Sequence, residues 1–286
     1  MPELPEVETI RRNLAPHVEG RTLERLEILD PRWSRPLAPR ELSDALEGRT
    51  IERLGRRGKY LIWELSGEAY LLVHLRMTGT LLLDPDEPAH NRVWFELGDH
   101  RLAFSDPRRF GTGELVLGED ALDAFLAARL GVEPLEDGFT AEHLYGLART
   151  SRAPIKAFLL DQKRVAGVGN IYADEALFRA RVHPLRPANR LTRAQCAALR
   201  DAVVASLEAG IAAKGATIDD FRDPYGVSGT FQDQFLIHLR EGEGCANCGR
   251  PVRKLRAAGR GTYVCERCQP VPRTKSRVPR PRRRLR

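Results

Sequence analysis

The sequence predicts an α+β chain: an N-terminal β-sandwich with flanking helices, then a helical domain, then a small four-cysteine unit. Three observations carry this. Short apolar or alternating runs broken by turn residues dominate up to about residue 104. From near residue 120 to Gly215 the apolar period becomes helical. Four of the five cysteines crowd into residues 245–268. A chain of 286 residues has room for more than one core. No run approaches the roughly 18 uninterrupted apolar residues of a membrane span, and MPELPEVETIRRNL carries acids where a signal peptide has a basic start and an apolar core. Secreted and membrane classes are excluded on those grounds.

In chain order, residues 5–14 read as a short helix. Pro5 suits a first helical position, Glu6 and Glu8 favour the positive N-terminal end, and Val7, Ile10 and Leu14 share one face. Strands follow at 22–29, 59–65, 69–75, 79–83 and 92–104, the last folded back at a Gly98-Asp99 hairpin tip. Several antiparallel strands in one block suggest a sandwich. Helices are expected at 141–149, 154–162, 170–181 and 192–214; the last opens with Thr192 and Gln195 spaced as a capping box and stops at Gly215. VAGVGN, before the third of these helices, is a tight turn, and without a preceding strand it is no dinucleotide site. The expected divisions are 1–125 for the sandwich, 126–230 for the helical domain, 231–270 for the metal-bound unit and 271–286 for a disordered basic tail.

CANC and CERC are Cys-x2-Cys pairs sixteen residues apart. Two such pairs complete a tetrahedral thiolate site, and four soft ligands in a reducing compartment favour one Zn²⁺. With no open position the metal is structural, held by Cys245, Cys248, Cys265 and Cys268. Cys196, in AQCAAL, reads as a small buried hydrophobe. The net charge of +7 is unevenly placed: Arg273–Arg286 hold eight Lys or Arg and no acid, leaving 38 basic against 39 acidic residues elsewhere. Residues 245–268 add a local +5. Such patches suit a polyanion, most simply nucleic acid. For the tail, where Pro279 and Pro281 forbid a regular helix, a solubilising segment is the plain alternative.

Pro2 is small enough for an aminopeptidase to remove Met1, exposing a secondary amine. An α-amine has a pKa near 8 against about 10.4 for lysine, so more of it is neutral and nucleophilic at physiological pH. Attack on an aldehyde-level carbon gives an iminium, a strong electron sink. Glu3 and Glu6 supply carboxylates for proton transfer or charge stabilisation. Standing alone, a Met-Pro start is too common to carry that chemistry.

It does not stand alone. PELPEVET (2–9), GRRGKYL (55–61), HLRMTG (74–79), DPRRFG (106–111), LLDQKRVAGVGNIYADEALF (159–178) and GRGTYVC (259–265) fall in an order that closely resembles the bacterial formamidopyrimidine-DNA glycosylases, the Fpg/MutM branch of the Fpg/Nei superfamily, over residues 2–270. The resemblance implies a β-sandwich, a helix–two-turn–helix domain and a zinc finger. It implies a bifunctional glycosylase and abasic-site lyase of base-excision repair. Such an enzyme removes oxidised purines, 8-oxoguanine and formamidopyrimidines, from duplex DNA through an N-terminal proline Schiff base and β,δ-elimination. By the same resemblance Pro2 is the nucleophile at the sugar C1′, Glu3 the carboxylate that protonates or steadies the opening sugar, and Glu6 a supporting acid that could equally be a first-turn helix charge. Lys59 matches the residue of the first elimination and Arg260 that of the second; their plain alternatives are a strand end in solvent and a phosphate contact. Met77, Arg108 and Phe110 match the side chains that fill the void of the flipped base and face the orphaned cytosine, although singly Met77 and Phe110 would read as core. Asn170, Lys156, His90 and Arg152 correspond to phosphate or backbone contacts, Asn170 at a helix N-terminus. The implied partner is damaged double-stranded DNA, bound by a monomer in the bacterial cytoplasm, at the nucleoid.

Two departures stand out. Arg76 replaces the glycine usual in HLGMTG, and IHLREGEGC (237–245) puts His238 and Leu239 where Tyr and Gly are typical. The segment 217–229 is expected to cover the flipped base. Two other functions compete: an endonuclease VIII-like glycosylase for oxidised pyrimidines, whose branch usually opens PEGPE, and a DNA-damage-binding protein without catalysis. A zinc-ribbon transcription factor would leave most of the chain unexplained.

Overall fold

Eight antiparallel strands form two four-stranded sheets in the computed structural model, which describes residues 1–218 and 221–271. The basic tail expected at the C-terminus lies outside the described residues from 272 onward. Helix α1 (Leu4–Val18) precedes β1 (Arg25–Ile28), α2 (Pro39–Leu46), β2 (Ile51–Arg57), β3 (Tyr60–Leu65), β4 (Ala69–His74), β5 (Thr80–Leu83), β6 (Asn91–Leu97), β7 (His100–Ser105) and β8 (Thr112–Leu117). The sheets run β1-β6-β7-β5 and β2-β3-β4-β8. Alternation chooses their faces: Val93, Phe95 and Leu97 of β6 are buried while the residues between them are partly exposed. Trp63 of β3 stacks on Phe95 of β6, ring centroids 5.1 Å apart, and Trp33 packs edge-on against the same phenyl ring. Such aromatic pairs add about 0.5–1.5 kcal/mol beyond their buried area. The Gly98-Asp99 tip joins β6 to β7 as expected, with Leu97 opposite His100.

Helix α1 runs past the expected end at residue 14 and through Pro16. The proline removes one N–H, but Val18 is fully buried in the sandwich core, and that burial offsets the missing bond. Helix α2 and strands β2 and β8 are additions to the sequence reading. IERLGRR in β2 shows no apolar alternation because Arg56 and Arg57 are held by the buried carboxylate of Glu133 from another domain.

The second half holds α3 (Glu119–Arg129), α4 (Ala141–Arg149), α5 (Ile155–Leu160), α6 (Asn170–Arg179) and α7 (Arg193–Ala212), followed by the hairpin β9 (Arg253–Ala257) and β10 (Arg260–Val264). The capping box of α7 is present in both directions: Thr192 Oγ1 accepts from Gln195 N and Gln195 Oε1 from Thr192 N, each at 3.2 Å. Gly215 closes this region at φ +84°, where a side chain would be strained and would press on Glu6. Helix α3 runs across residues 125 and 126, and Phe231 and Phe235 belong to the helical core. The two large cores are cross-stitched: Leu4 of α1 sits in the helical core and Phe221 in the sandwich core. No helix among the described residues is long and apolar enough to cross a membrane.

Candidate active site and metal centre

The N-terminus is threaded between the two large domains. Leu4 N donates to Gly167 O at 3.0 Å, Pro2 is buried, and Met1 is 39% exposed. Glu3 Oε1 accepts from Ile171 N at 3.0 Å, so its carboxylate caps the positive end of α6, while its other oxygen is buried without a partner. That approach requires Gly169, where a Cβ would lie 2.2 Å from the Glu3 carboxyl carbon. Glu6 accepts from Glu3 N at 2.8 Å and from the Tyr172 hydroxyl and Ala216 N at 2.7 Å each. Burial, reinforced by the Glu3 charge, raises its pKa against these bonds.

Two cavities open beside this junction. One of about 170 Å³ is lined by Met1, Pro2, Glu6, Met77, Arg108 and Phe221, among others. The other, about 480 Å³, is lined by Met1, Lys59, Arg76, Met77, Phe110 and Arg260, among others. The structure therefore gathers Pro2, Glu6, Lys59, Arg260, Met77, Arg108 and Phe110 from widely separated parts of the chain, with Glu3 immediately behind them. Lys59 is 5% exposed and has no hydrogen-bond or ion-pair partner among the described residues. Burial lowers its pKa, opposed by the charges of Glu3 and Glu6. His74 is held neutral, its pKa down at about 3, by burial and by the neighbouring Arg76 and Lys59 cations. Its Nδ1 accepts from Arg76 N at 2.9 Å and supports the left-handed backbone of Arg76 at φ +56°.

Asp106 builds the loop that carries Arg108 and Phe110. Its Oδ2 accepts from Phe110 N and Gly111 N at 2.8 Å each, and its Oδ1 takes Arg108 N and the hydroxyl of Thr78, next to Met77. Met77, Arg108 and the 52% exposed Phe110 are thereby presented together, with the Arg108 guanidinium 5.1 Å from the Phe110 ring centre. The sequence offered a signal for Asp106, an aspartate at the head of a Pro-containing turn. Gln162 was equally unassigned: its amide bridges Val168 O and Gly167 N and so pins the VAGVGN turn.

One sequence expectation is corrected. Lys156, matched above to a phosphate contact, is fully buried and paired to Asp174 at 2.7 Å, out of reach of a DNA phosphate. An ammonium without solvent needs a counter-charge, and Asp174 supplies it. His90 and Arg152 are exposed and line neither cavity. Asn170 is the first residue of α6, half-buried, with its side-chain oxygen unpartnered; Glu3 takes the adjacent N–H. His238, one of the two departures, lies 3% exposed with Nδ1 2.9 Å from Asp174 Oδ2.

The sulfurs of Cys245, Cys248, Cys265 and Cys268 lie within 4.8 Å of one another, with closest pairs at 3.5 and 3.9 Å. Four thiolates at about 2.3 Å from one ion are spaced about 3.8 Å apart in a tetrahedron, so the set fits Zn²⁺ and leaves no coordination position open. It is a structural zinc site that braces β9 and β10.

A cleft at the seam of a sandwich and a helical domain, with a thiolate-braced hairpin carrying Arg260 to its rim, is the layout of a nucleic-acid enzyme. Known proteins agree segment by segment. Residues 1–113 match the formamidopyrimidine-DNA glycosylase N-terminal domain, 130–222 its H2TH domain, and 242–271 the zinc finger found in FPG and IleRS. Formamidopyrimidine-DNA glycosylases of Desulfitobacterium hafniense and Aromatoleum aromaticum are 43% and 45% identical to the chain, over 94% of it and 100% and 99% of their own lengths. Among solved structures, the MutM (Fpg) protein of Thermus thermophilus superposes with a TM-score of 0.85 at 44% identity, covering 94% of this chain and 98% of that one. The Lactococcus lactis Fpg in complex with abasic-site DNA gives 0.88 at 36% identity, covering 94% and 100%. The chain belongs to the formamidopyrimidine-DNA glycosylase family.

Proposed function

We propose that this chain is a DNA glycosylase of base-excision repair that removes oxidised purines from duplex DNA, and that it is also an abasic-site lyase working through Pro2. The observation that carries the reading is the burial of Pro2 beside Glu6, Met77 and Arg108 in one cavity, with the unpartnered oxygen of Glu3 behind it. Relatives support the substrate: the Lactococcus lactis protein has been solved with Fapy-dG DNA and with abasic-site DNA.

The chemistry requires Met1 to be removed, since Pro2 nitrogen is otherwise a non-nucleophilic amide. The freed amine bonds to C1′ as the damaged base leaves with a proton. Glu3, anchored by one oxygen only, keeps the other for the opening sugar. The iminium acidifies the neighbouring sugar C–H bonds, so a base can take a proton while the 3′ phosphate departs. Lys59 suits that step because burial favours its neutral form. Arg260, exposed at the rim, suits loss of the 5′ phosphate in the second elimination, and hydrolysis then regenerates Pro2. Met77, Arg108 and Phe110 suit the void left by the flipped base; Asn170, His90 and Arg152 suit backbone contacts. The four cysteines hold zinc, which keeps the hairpin folded. The reading includes a monomer acting in the cytoplasm, consistent with thiols kept for metal rather than disulfides.

Borohydride trapping tests it, using protein shown by mass to begin at Pro2. The substrates are duplexes with 8-oxoguanine opposite cytosine, dihydrothymine, or an abasic site. The expected result is an adduct at Pro2 formed fastest on the oxidised purine, and undiminished trapping after replacing Pro2 would overturn its assignment. A preference for dihydrothymine would favour the endonuclease VIII-like alternative, and no adduct at all a binding protein.

A further inference from the structure

The network that buries Lys156 ends on the backbone of Arg260. Lys156 Nζ donates to Asp174 Oδ1 at 2.7 Å, to Thr262 Oγ1 at 2.8 Å and to the Gly261 carbonyl at 3.2 Å. The Thr262 hydroxyl in turn donates to the Arg260 carbonyl at 3.2 Å. On the other side, Asp174 Oδ2 is bonded to His238 Nδ1 at 2.9 Å, and the His238 ring packs edge-on against Tyr263 of β10. Lys156 and Thr262 are 0% exposed, Asp174 1% and His238 3%.

The Arg260 guanidinium, by contrast, makes no hydrogen bond or ion pair among the described residues. A long side chain without partners is aimed only by the backbone that carries it. That backbone is gripped from α5 by the Lys156 ammonium, and the ammonium is gripped from α6 by Asp174. Both Asp174 oxygens are occupied, one by each clamp on the zinc-finger segment. A buried charge pair of this kind contributes little net stability, but it fixes a geometry.

We propose that Asp174 is a positioning residue for the second elimination: through Lys156 and Thr262 it sets where Arg260 reaches into the cleft, and His238 holds the carboxylate in place for that task. This rests on the role proposed above for Arg260. Misplacement of a catalytic group by about 1 Å costs up to roughly 100-fold in rate, whereas the first elimination does not pass through the hairpin.

The test is product partition on an abasic-site duplex under single turnover, with zinc-loaded full-length protein beginning at Pro2. The variants are Asp174→Asn, Thr262→Val and Arg260→Ala. Thr262→Val keeps shape and strand preference, leaves the ion pair and the metal ligands untouched, and removes only the hydroxyl relay. For Asp174→Asn and Thr262→Val the expected result is trapping at Pro2 within about twofold of the parent, one zinc per chain, and a roughly tenfold fall in the ratio of doubly to singly eliminated ends. An unchanged ratio in both, with Arg260→Ala shifting it, overturns the positioning role alone. If Arg260→Ala itself leaves the ratio unchanged, the role of Arg260 falls and this inference with it. Should Asp174→Asn lose zinc or fold, Thr262→Val decides by the same ratio.

Discussion

Glu3 and Glu6 lie one turn apart at the start of α1 but face different tasks. Glu6 is saturated by three donors, whereas Glu3 spends one oxygen on a helix N-terminus and leaves the other free. The Glu3 position depends on Gly169, and Gly169→Ala would drive a methyl group into its carboxylate. On the role proposed for Glu3, base excision under single turnover should fall by roughly 100-fold, the cost of displacing a catalytic group by about 1 Å. Zinc content should stay unchanged. The role proposed for Lys59 sets a pH dependence. Its pKa is below 10.5, so the neutral, proton-accepting fraction grows as pH rises and saturates sooner than for a solvent lysine. The first elimination should climb with pH and level off below that range, and Lys59→Arg, which stays charged, should abolish the slope; single-turnover rates across neutral to alkaline pH would show it. Glu8 gives a stability counterpart. Burial would raise its pKa, but hydrogen bonds from Arg11 and Arg12 and the Arg56 charge hold it at about 2. The folded value is below the unfolded one near 4.3, so its contribution is full above that value and is lost as pH falls toward about 2. Glu8→Gln should therefore lower the thermal midpoint at neutral pH, and the gap to the parent should close in acid.

At the level of elements, legibility followed how local the cause was. Helix α4 was read to the residue, and α7 to within two residues of each end, because period and caps are written within a few positions. Thr192→Ala should cost about 1 kcal/mol in chemical denaturation with no change in excision rate. Helix α2 was missed because eight residues with two buried leucines give little period to see. Strand β2 was missed because its arginines are satisfied by Glu133, which no window around residue 55 contains.

For the whole molecule, the charge excess outside the tail is nil, since 38 basic residues face 39 acidic ones before Arg273. Deleting 273–286 should weaken binding to undamaged duplex and flatten its salt dependence, with single-turnover chemistry unaffected; titration over a series of salt concentrations measures both. Chelating zinc should unfold β9 and β10, release Arg260 and depress the second elimination more than the first, read from product ends and metal content together.

By itself the sequence determined the four metal ligands, the order of the three domains and the motifs of the cleft, because cysteine spacing, hydrophobic period and motif residues are local patterns. Only the tertiary structure decided that Lys156 is a buried strut instead of a phosphate contact, that Asp106 assembles the loop presenting Arg108 and Phe110, and that Glu3 caps a helix 168 residues away. A lysine or a glutamate looks the same in sequence whether water or a distant partner satisfies its charge, and burial is settled only when remote segments pack together.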